Sequence, residues 1–349
     1  EPHTSVSVSR VLKIVIPIGI VAIAAYVWSK TWEPTEREKL ATNSFTRILA
    51  SNPLGAAAAM KFADNDGDLV ADSPSDPKQC INPDTLVFSY VAAETESVPE
   101  DAWKDLLAAL KKKTGRDVKY AHYDTVDEQL AAMEKGELHI AGLNTGFVPL
   151  AVAQAGFVPL CTFGHDDGSY GYTMQVLVPA DSPIKKLADV KGHKITFTRP
   201  DSNSGCKALL VLLNDEGLQP DRDYEWGFST DHSVSIKGIA SKLYEVAPVA
   251  SDILQLMEEN GDVDKAAIRK VYESKRFPPA TIGYVYNLDP GMRSAIRDTV
   301  VGLNLKGTSL EGKMGADATK LVPVNYKKDW DSARAIDKLA ADAQAKRAK

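Results

Sequence analysis

Cysteine is scarce in this sequence, and the charge balance is not basic. The three cysteines among 349 residues have no C-x-x-C spacing, which excludes a zinc ribbon or a disulfide-rich scaffold. A formal net charge of −6 excludes the basic surface that nucleic-acid binding requires. The G-x-S-x-G and H-E-x-x-H motifs of two hydrolase classes are absent. An enzyme would need Cys161 or Cys206 as the nucleophile with His232 as the base, which is one alternative.

One long apolar run stands near the start of the chain. Val11 to Ser29 carries a single charge, Lys13, and has about the 20 residues that a membrane span needs. The basic residues Arg10 and Lys13 indicate a cytoplasmic N-terminus. We therefore expect residues 1–30 to form a cytoplasmic stub and a single-pass anchor, with the body in the periplasm. A cleaved signal peptide at Ala22-Ile23-Ala24 is the alternative.

Residues 31–83 are predicted to form a stalk and linker, because they are charged at first and then rich in Pro, Asp, Ser and Ala. Acidic side chains alternate within this segment, as in loops that wrap calcium with oxygen ligands. Leu69 stands where such loops usually carry glycine, so a solvated acidic linker is the alternative. No other cofactor is expected. The candidate ligands of a structural Ca²⁺ are Asp64, Asp66, Asp68 and Asp72.

From Asp84 onward, strand-like and helix-like segments alternate. Thr85 to Ala92 is rich in β-branched and aromatic residues, and the leucines that follow Trp103 recur at helical spacing. A strand–helix–strand series of this kind predicts an α/β fold with parallel strand pairs and right-handed crossovers. The length is enough for one large α/β unit or for two lobes, since single cores stop growing near about 250–300 residues.

Six stretches of this region, taken in order, resemble the PhnD-like phosphate/phosphite/phosphonate-binding proteins of ABC importers. The segment LVPADSPIKKLADVKGHK is similar to the family pattern VxxDSPIxxLxDLKGKx, and TRPDSNSGCKALL resembles xDPxSTSGxxxP. The six stretches are Trp103–Val118, Gln129–Ala141, Leu177–Lys194, Thr198–Leu210, Phe228–Ala240 and Ala247–Leu254.

The resemblance implies a two-lobed type II periplasmic-binding-protein fold. On this reading, residues 84–177 and 283–325 form lobe 1, residues 178–282 form lobe 2, and residues 326–349 form a C-terminal helix. It also implies a monomeric binding protein rather than an enzyme. Its partners would be a small anionic solute and an ABC permease in the membrane, with no nucleic acid.

The candidate ligand-binding residues lie at strand–helix junctions. The run Asp201-Ser202-Asn203-Ser204-Gly205 follows a strand and opens a helix, where N–H groups and hydroxyls can bind an anion. An ordinary N-cap cluster is the alternative, since Ser, Asn and Asp favour caps. Thr145 and Gly146 follow the third strand, where an open α/β sheet presents its ligand crevice.

The resemblance adds two further ligand contacts. His232 is implied as an oxyanion donor that titrates near neutral pH. Asp252 matches a family carboxylate that accepts a proton from a phosphonate or an amine. Tyr172, with Tyr170 and Tyr123, is a candidate phenolic donor, and a core position is the alternative. The family's second acid is replaced by Ala250, which disfavours an aminoalkyl-phosphonate. A ferric-iron-binding protein of the same fold is an alternative, with Tyr170, Tyr172, His232 and Asp252 as ligands.

Overall fold

The computed structural model describes residues 36–50, 60–90, 98–314 and 318–347. The apolar run Val11–Ser29 lies outside the described residues. In the part of the chain that the structure describes, no helix has both the length and the apolar character needed to cross a membrane.

Strands and helices alternate as the sequence predicts. The strands are β1 (Thr85–Tyr90), β2 (Asp117–Tyr120), β3 (Ile140–Leu143), β4 (Phe157–Gly164), β5 (Tyr172–Pro179), β6 (Lys194–Phe197), β7 (Glu225–Phe228), β8 (Ala247–Ala250), β9 (Ile268–Phe277), β10 (Thr281–Val285) and β11 (Lys320–Pro323). The helices are α1 (Glu36–Ala50), α2 (Lys104–Thr114), α3 (Val126–Glu134), α4 (Val148–Ala155), α5 (Ala208–Asp215), α6 (His232–Ala240), α7 (Ser251–Glu259), α8 (Pro290–Val300), α9 (Tyr326–Asp329) and α10 (Asp331–Arg347).

The first lobe is built on a mixed six-stranded sheet in the order β11-β4-β10-β3-β1-β2. β1 pairs in parallel with β2 and β3, whereas β10 runs antiparallel between β3 and β4. Glycines in the left-handed conformation end α2 at Gly115 and α4 at Gly156, a backbone shape that glycine adopts without strain. The chain therefore turns back to the sheet after each helix, and the parallel strands β1 and β3 end at the same edge of the sheet.

The second lobe contains the antiparallel sheet β8-β5-β9 and the parallel pair β6-β7. Two of its helical segments begin at residues whose side chains accept from the first free N–H groups. The carboxylate of Asp231 accepts from Val234 N at 2.7 Å at the start of α6, and Ser202 caps the turn that leads into α5. The starts of α5, α6 and α7 all follow strands of this lobe, at its edge facing the first lobe.

The lobe boundaries differ from those expected. β5 begins at Tyr172 and pairs only within the second lobe, so the predicted end of lobe 1 at residue 177 is several residues too late. Where the chain returns to the first lobe, β10 joins the first sheet from Thr281, two residues before the predicted boundary at 283. The crossings lie in the segments 165–171 and 278–280, because hydrogen bonding switches between the sheets there.

The described part of residues 31–83 is not a free stalk. Helix α1 buries Phe45, Ile48 and Leu49 in the core of the second lobe, together with Ala340 of α10. Residues 60–72 pack instead on the first lobe, where Val70 is buried. The chain thus covers both lobes before β1 begins, since a short apolar face on α1 is enough to dock it.

Candidate functional site

A cleft of about 1100 Å³ lies between the lobes. All eight residues proposed from the sequence as ligand contacts line it, although they come from five separate segments of the chain. Lobe 1 contributes the loop after β3, and lobe 2 contributes the starts of its helices. The eight residues are Thr145, Gly146, Tyr172, Ser202, Asn203, Ser204, His232 and Asp252.

The floor of the cleft in the second lobe is a tight turn, here called the anion turn, formed by Ser202, Asn203 and Ser204. Ser202 Oγ accepts from Gly205 N at 3.0 Å, and a π-helical turn over Asn203–Lys207 follows before α5. A Cβ on Gly205 would lie 1.9 Å from Thr198 Oγ1, so glycine is required for this close packing. Single π-turns occur often at functional sites, and this one presents a helix N-terminus to the cleft.

The side chain of Asn203 is the most direct indication of a ligand. It is 3% exposed, and neither Oδ1 nor Nδ2 makes a hydrogen bond of normal geometry to the described residues. Buried polar groups are nearly always hydrogen-bonded, because an unpaired one loses its contacts with water without compensation. A polar ligand in the cleft would supply the donors and acceptors that this amide requires.

His232 is held as a neutral N–H donor. Its Nδ1 accepts from Ala250 N at 3.1 Å, which leaves the ring proton on Nε2, and Nε2 lies 3.5 Å from Ser202 Oγ. Burial, aided by the positive charge of Arg199, lowers the pKa of His232 to about 4. The expectation that His232 titrates near neutral pH is therefore wrong, because desolvation disfavours the imidazolium form.

The backbone next to His232 is strained. Thr230, two residues earlier, has a φ of 100°, which a β-branched residue rarely adopts. Its N–H donates to Thr198 O at 3.2 Å, which ties the loop before α6 to the segment that precedes the anion turn. Strained residues of this kind cluster at ligand sites, where the surrounding structure holds them in place.

Thr145 and Tyr172 bond to the crossing segments at the base of the cleft. Thr145 Oγ1 donates to Pro278 O at 2.6 Å, and the Tyr172 hydroxyl donates to Thr145 Oγ1 at 3.2 Å. Gly146 approaches the anion turn so closely that a Cβ would lie 2.4 Å from Asp201 O and 3.0 Å from Asn203 N. These residues therefore fix how the lobes meet, in addition to lining the cleft.

Asp252 lies in the first turn of α7 and faces the same cleft. Burial raises the pKa of its carboxyl group to about 6, while a backbone N–H and the positive charge of Arg276 favour the ionised form. The guanidinium of Arg276 is held in turn by a hydrogen bond to Gly171 O. The cleft thus contains an acid that exchanges its proton in the range where phosphoryl groups also titrate.

Sequence reasoning gave no ligand role to the charged residues that flank the anion turn. Arg199 donates two hydrogen bonds, of 3.0 and 2.7 Å, to the carboxylate of Asp201. Asn144 Nδ2 donates to Asp201 Oδ2 at 3.1 Å. Arg199 follows β6 directly, a position that could have suggested it. Arg276 lies on the charged strand β9, and only its pairing with β5 brings it to the cleft.

The tyrosines and thiols on which the two alternative chemistries depend are held in their protonated forms. Burial raises the pKa of both Tyr170 and Tyr172, which disfavours the phenolates that bind ferric iron. Cys161 and Cys206 are fully buried thiols whose pKa values burial also raises, so neither has the thiolate of a nucleophile.

The acidic loop brings three of its four proposed ligands together. Oxygen atoms of Asp64, Asp66 and Asp68 lie within 4.8 Å of one another. Asp72 is turned toward Asn65 instead, and accepts from its backbone N at 2.7 Å and from Nδ2 at 2.6 Å. Burial and the neighbouring carboxylates raise the pKa of Asp68.

A two-lobed α/β body whose cleft is lined by helix N-termini defines the class of solute-binding proteins, and solved structures share this fold. A protein from Xanthomonas citri bound to chloride matches with a TM-score of 0.63 and 16% identity, covering 74% of this chain and 99% of that chain. PhnD1 from Prochlorococcus marinus in complex with methylphosphonate matches with a TM-score of 0.61 and 14% identity, covering 74% of this chain and 98% of its own. The binding component of a phosphonate transporter from Pseudomonas aeruginosa matches with a TM-score of 0.56 and 18% identity, covering 76% and 98%.

A family model described as "ABC transporter, phosphonate, periplasmic substrate-binding protein" matches residues 88–330, and the chain belongs to this family. The resemblance noted in the sequence is thereby confirmed. The family consists of periplasmic substrate-binding components of transporters, so the chain is a binding protein and the enzyme alternative is wrong.

The raised pKa of Asp252 predicts a pH-dependent loss of stability. The ordinary pKa of 3.8 rises to about 6 in the folded protein, so the folded state holds this proton more tightly and loses stability as pH rises from about 4 to 6. We expect Asp252→Asn to gain stability relative to the parent between pH 4 and pH 7.5, by at most about 3 kcal/mol at 1.4 kcal/mol per pH unit.

Urea unfolding of both proteins at the two pH values measures this difference. Gln255→Ala, an uncharged change on the same helix, should alter stability equally at both. An Asp252→Asn effect that is also independent of pH would show that the carboxyl group is ionised normally in the folded protein.

Proposed function

We propose that this protein is the extracytoplasmic component of an ABC importer. On this proposal it works as a monomer that binds one small tetrahedral oxyanion, a phosphonate, phosphite or phosphate, in the cleft and delivers it to a membrane permease. The observation that carries the proposal is the buried Asn203 amide, which makes no hydrogen bond of normal geometry to the described residues and lies at a helix N-terminus that faces the cleft.

The donors around this amide suit an anion. Ser202, Ser204 and the Nε2–H of His232 are uncharged donors, and the N-termini of α5 and α6 add their positive dipole ends. Uncharged donors need no counter-ion inside the cleft, whereas a buried lysine would have to be desolvated first. Hydrogen bonds to a charged ligand are stronger than neutral ones, at about 1.5–3 kcal/mol each.

Asp252 favours an oxyanion that carries a proton. An ionised carboxylate repels a fully ionised ligand, but it accepts a hydrogen bond from a P–OH group. Phosphonate, phosphite and phosphate have such a group near neutral pH, whereas sulfate does not. The pKa of about 6 supports this proposal, since the carboxyl group and the ligand can share one proton across the neutral range.

Removing one donor from the anion turn should weaken binding without unfolding the protein. We expect Ser204→Ala to lower the affinity for methylphosphonate about tenfold or more, because one charge-assisted hydrogen bond is lost. We expect a similar loss for His232→Phe, which removes the Nε2–H, with the same ratio at pH 6 and pH 8 because His232 is neutral at both. Calorimetric titration measures both effects.

The matched control is Ser241→Ala, which removes a serine hydroxyl at the far end of α6 and should leave affinity unchanged. Phosphite, phosphate, sulfate and ferric citrate complete the titration series. Equal methylphosphonate affinity in all folded variants would contradict the site and favour an ordinary N-cap cluster. Tight binding of ferric citrate alone would favour the iron-binding alternative.

We also propose that Asp64, Asp66 and Asp68 hold a structural Ca²⁺. The proximity of their oxygen atoms supports this, as does Asp64 Oδ1, which has no hydrogen-bond partner among the described residues. Calcium should raise the melting temperature of the parent, because an ion that binds only the folded state stabilises it. Asp66→Asn should reduce that rise, and an equal melting temperature in calcium and in EGTA would contradict the proposal.

Finally, we propose that Val11–Ser29 anchors the protein in the cell membrane with its body in the periplasm, which its length and low charge support. The C-terminally tagged full-length chain should remain in the membrane pellet after carbonate extraction. Release of a soluble product that begins near Ala25 would support signal-peptide cleavage instead.

A further inference from the structure

A lysine at the end of the anion turn is fully buried. Lys207 is 1% exposed, and its ammonium group donates to Asp337 Oδ1 at 2.7 Å and to Gly146 O at 2.8 Å. Asp337 lies on α10 and is also 1% exposed. The three residues come from three separate segments of the chain, and the lysine joins them directly behind the turn that faces the cleft.

The helix that carries Asp337 is attached to both lobes. At its start, Trp330 and Ala333 belong to the core of the first lobe, and Trp330 Nε1 donates to Thr145 O at 3.1 Å. Further along, Ala340 is buried in the core of the second lobe, with Ile336 packed beside it. One rigid helix therefore spans the base of the cleft, and Asp337 sits between its two points of attachment.

A buried ion pair is a poor means of adding stability. Desolvating two charges costs about as much as their attraction returns, so apolar residues of similar size would serve the core equally well. A charged pair does impose one geometry, because each charge is tolerated only when its partner is in place. This pair would therefore be useful where relative position matters more than stability.

We infer that Lys207 and Asp337 are positioning residues that use α10 to hold the anion turn in register with the Gly146 loop across the base of the cleft. The inference rests on the proposed oxyanion site. It goes beyond the family match, which ends at residue 330, before α10 begins. The close fit at Gly146 depends on this register. A Cβ on Gly146 would lie 3.2 Å from Lys207 Cε, so the loop and the lysine side chain are already in tight contact.

An attraction between the lysine charge and the ligand is the competing explanation. Asp337 neutralises that charge at 2.7 Å, so the pair as a whole adds no net charge to the site. Lys207→Met/Asp337→Leu preserves net charge and approximate volume but removes both the lysine charge and the link to Gly146. Both explanations therefore predict weaker anion binding in this variant, but only positioning predicts a less protected anion turn in the protein without ligand.

The test combines calorimetry with amide hydrogen exchange. For the double variant, we expect methylphosphonate affinity to fall at least tenfold. In the protein without ligand, we expect exchange across residues 202–207 to accelerate at least tenfold while β1 stays protected. Lys242→Met/Asp181→Leu removes an exposed ion pair of the same lobe in the same charge-neutral way, and it should change neither measurement.

Lys207→Leu/Asp337→Leu provides a second charge-neutral variant for use if the first does not fold, and it should accelerate exchange in the same segment. Unchanged exchange over residues 202–207 in a folded variant overturns the inference, whichever ligand the protein binds. Faster exchange with unchanged affinity overturns it too, since the pair would then serve the fold alone. Failure of the parent to bind any oxyanion would instead contradict the proposed function, and the exchange result would still decide whether the pair holds the turn.

Discussion

The close contact between Gly146 and the anion turn is the constraint on which the cleft depends. Gly146 belongs to the first lobe and the turn to the second, yet a single added methyl group would collide with Asp201 O. Around this contact, Thr145 bonds to Pro278 O and Lys207 bonds to Gly146 O. The two lobes are therefore in direct, hydrogen-bonded contact at the base of the cleft.

The electrostatics of the cleft follow from pairing its fixed charges. Arg199 is matched by Asp201, and Lys207 is matched by Asp337, so these four groups add little net field. The anion turn itself presents neutral donors and a helix N-terminus, and the charged groups of Asp252, Arg276 and Lys313 also line the cleft. Such a site attracts an anion over a short range only, which is compatible with a chain whose net charge is −6. Selectivity then comes from hydrogen-bond geometry more than from long-range attraction.

Local sequence patterns predicted the alternating elements and brought the site residues to the correct strand–helix junctions, because caps and strand ends are encoded within a few residues. The lobe boundary at residue 177 was misplaced because β5 has the same apolar pattern as the strands of the first lobe. The docking of α1 was missed because the apolar side chains that carry it, among them Phe45, Ile48 and Leu49, are few within a charged segment. The low pKa of His232 could not be read from the sequence either, since distant segments bury the ring.

Three features of the site lower the stability of the fold. Asn203 is buried without a hydrogen bond of normal geometry to the described residues, Thr230 has a strained backbone, and Asp252 is held where ionisation is costly. Each of these features is energetically unfavourable in a core that has only a structural role. All three lie in or beside the same cleft. The segments outside the family match add stability instead. Helices α1 and α10 contribute apolar contacts to the second lobe, which carries the anion turn. The terminal helices thus stabilise the lobe in which the unfavourable groups are concentrated, which lets those groups remain available to a ligand.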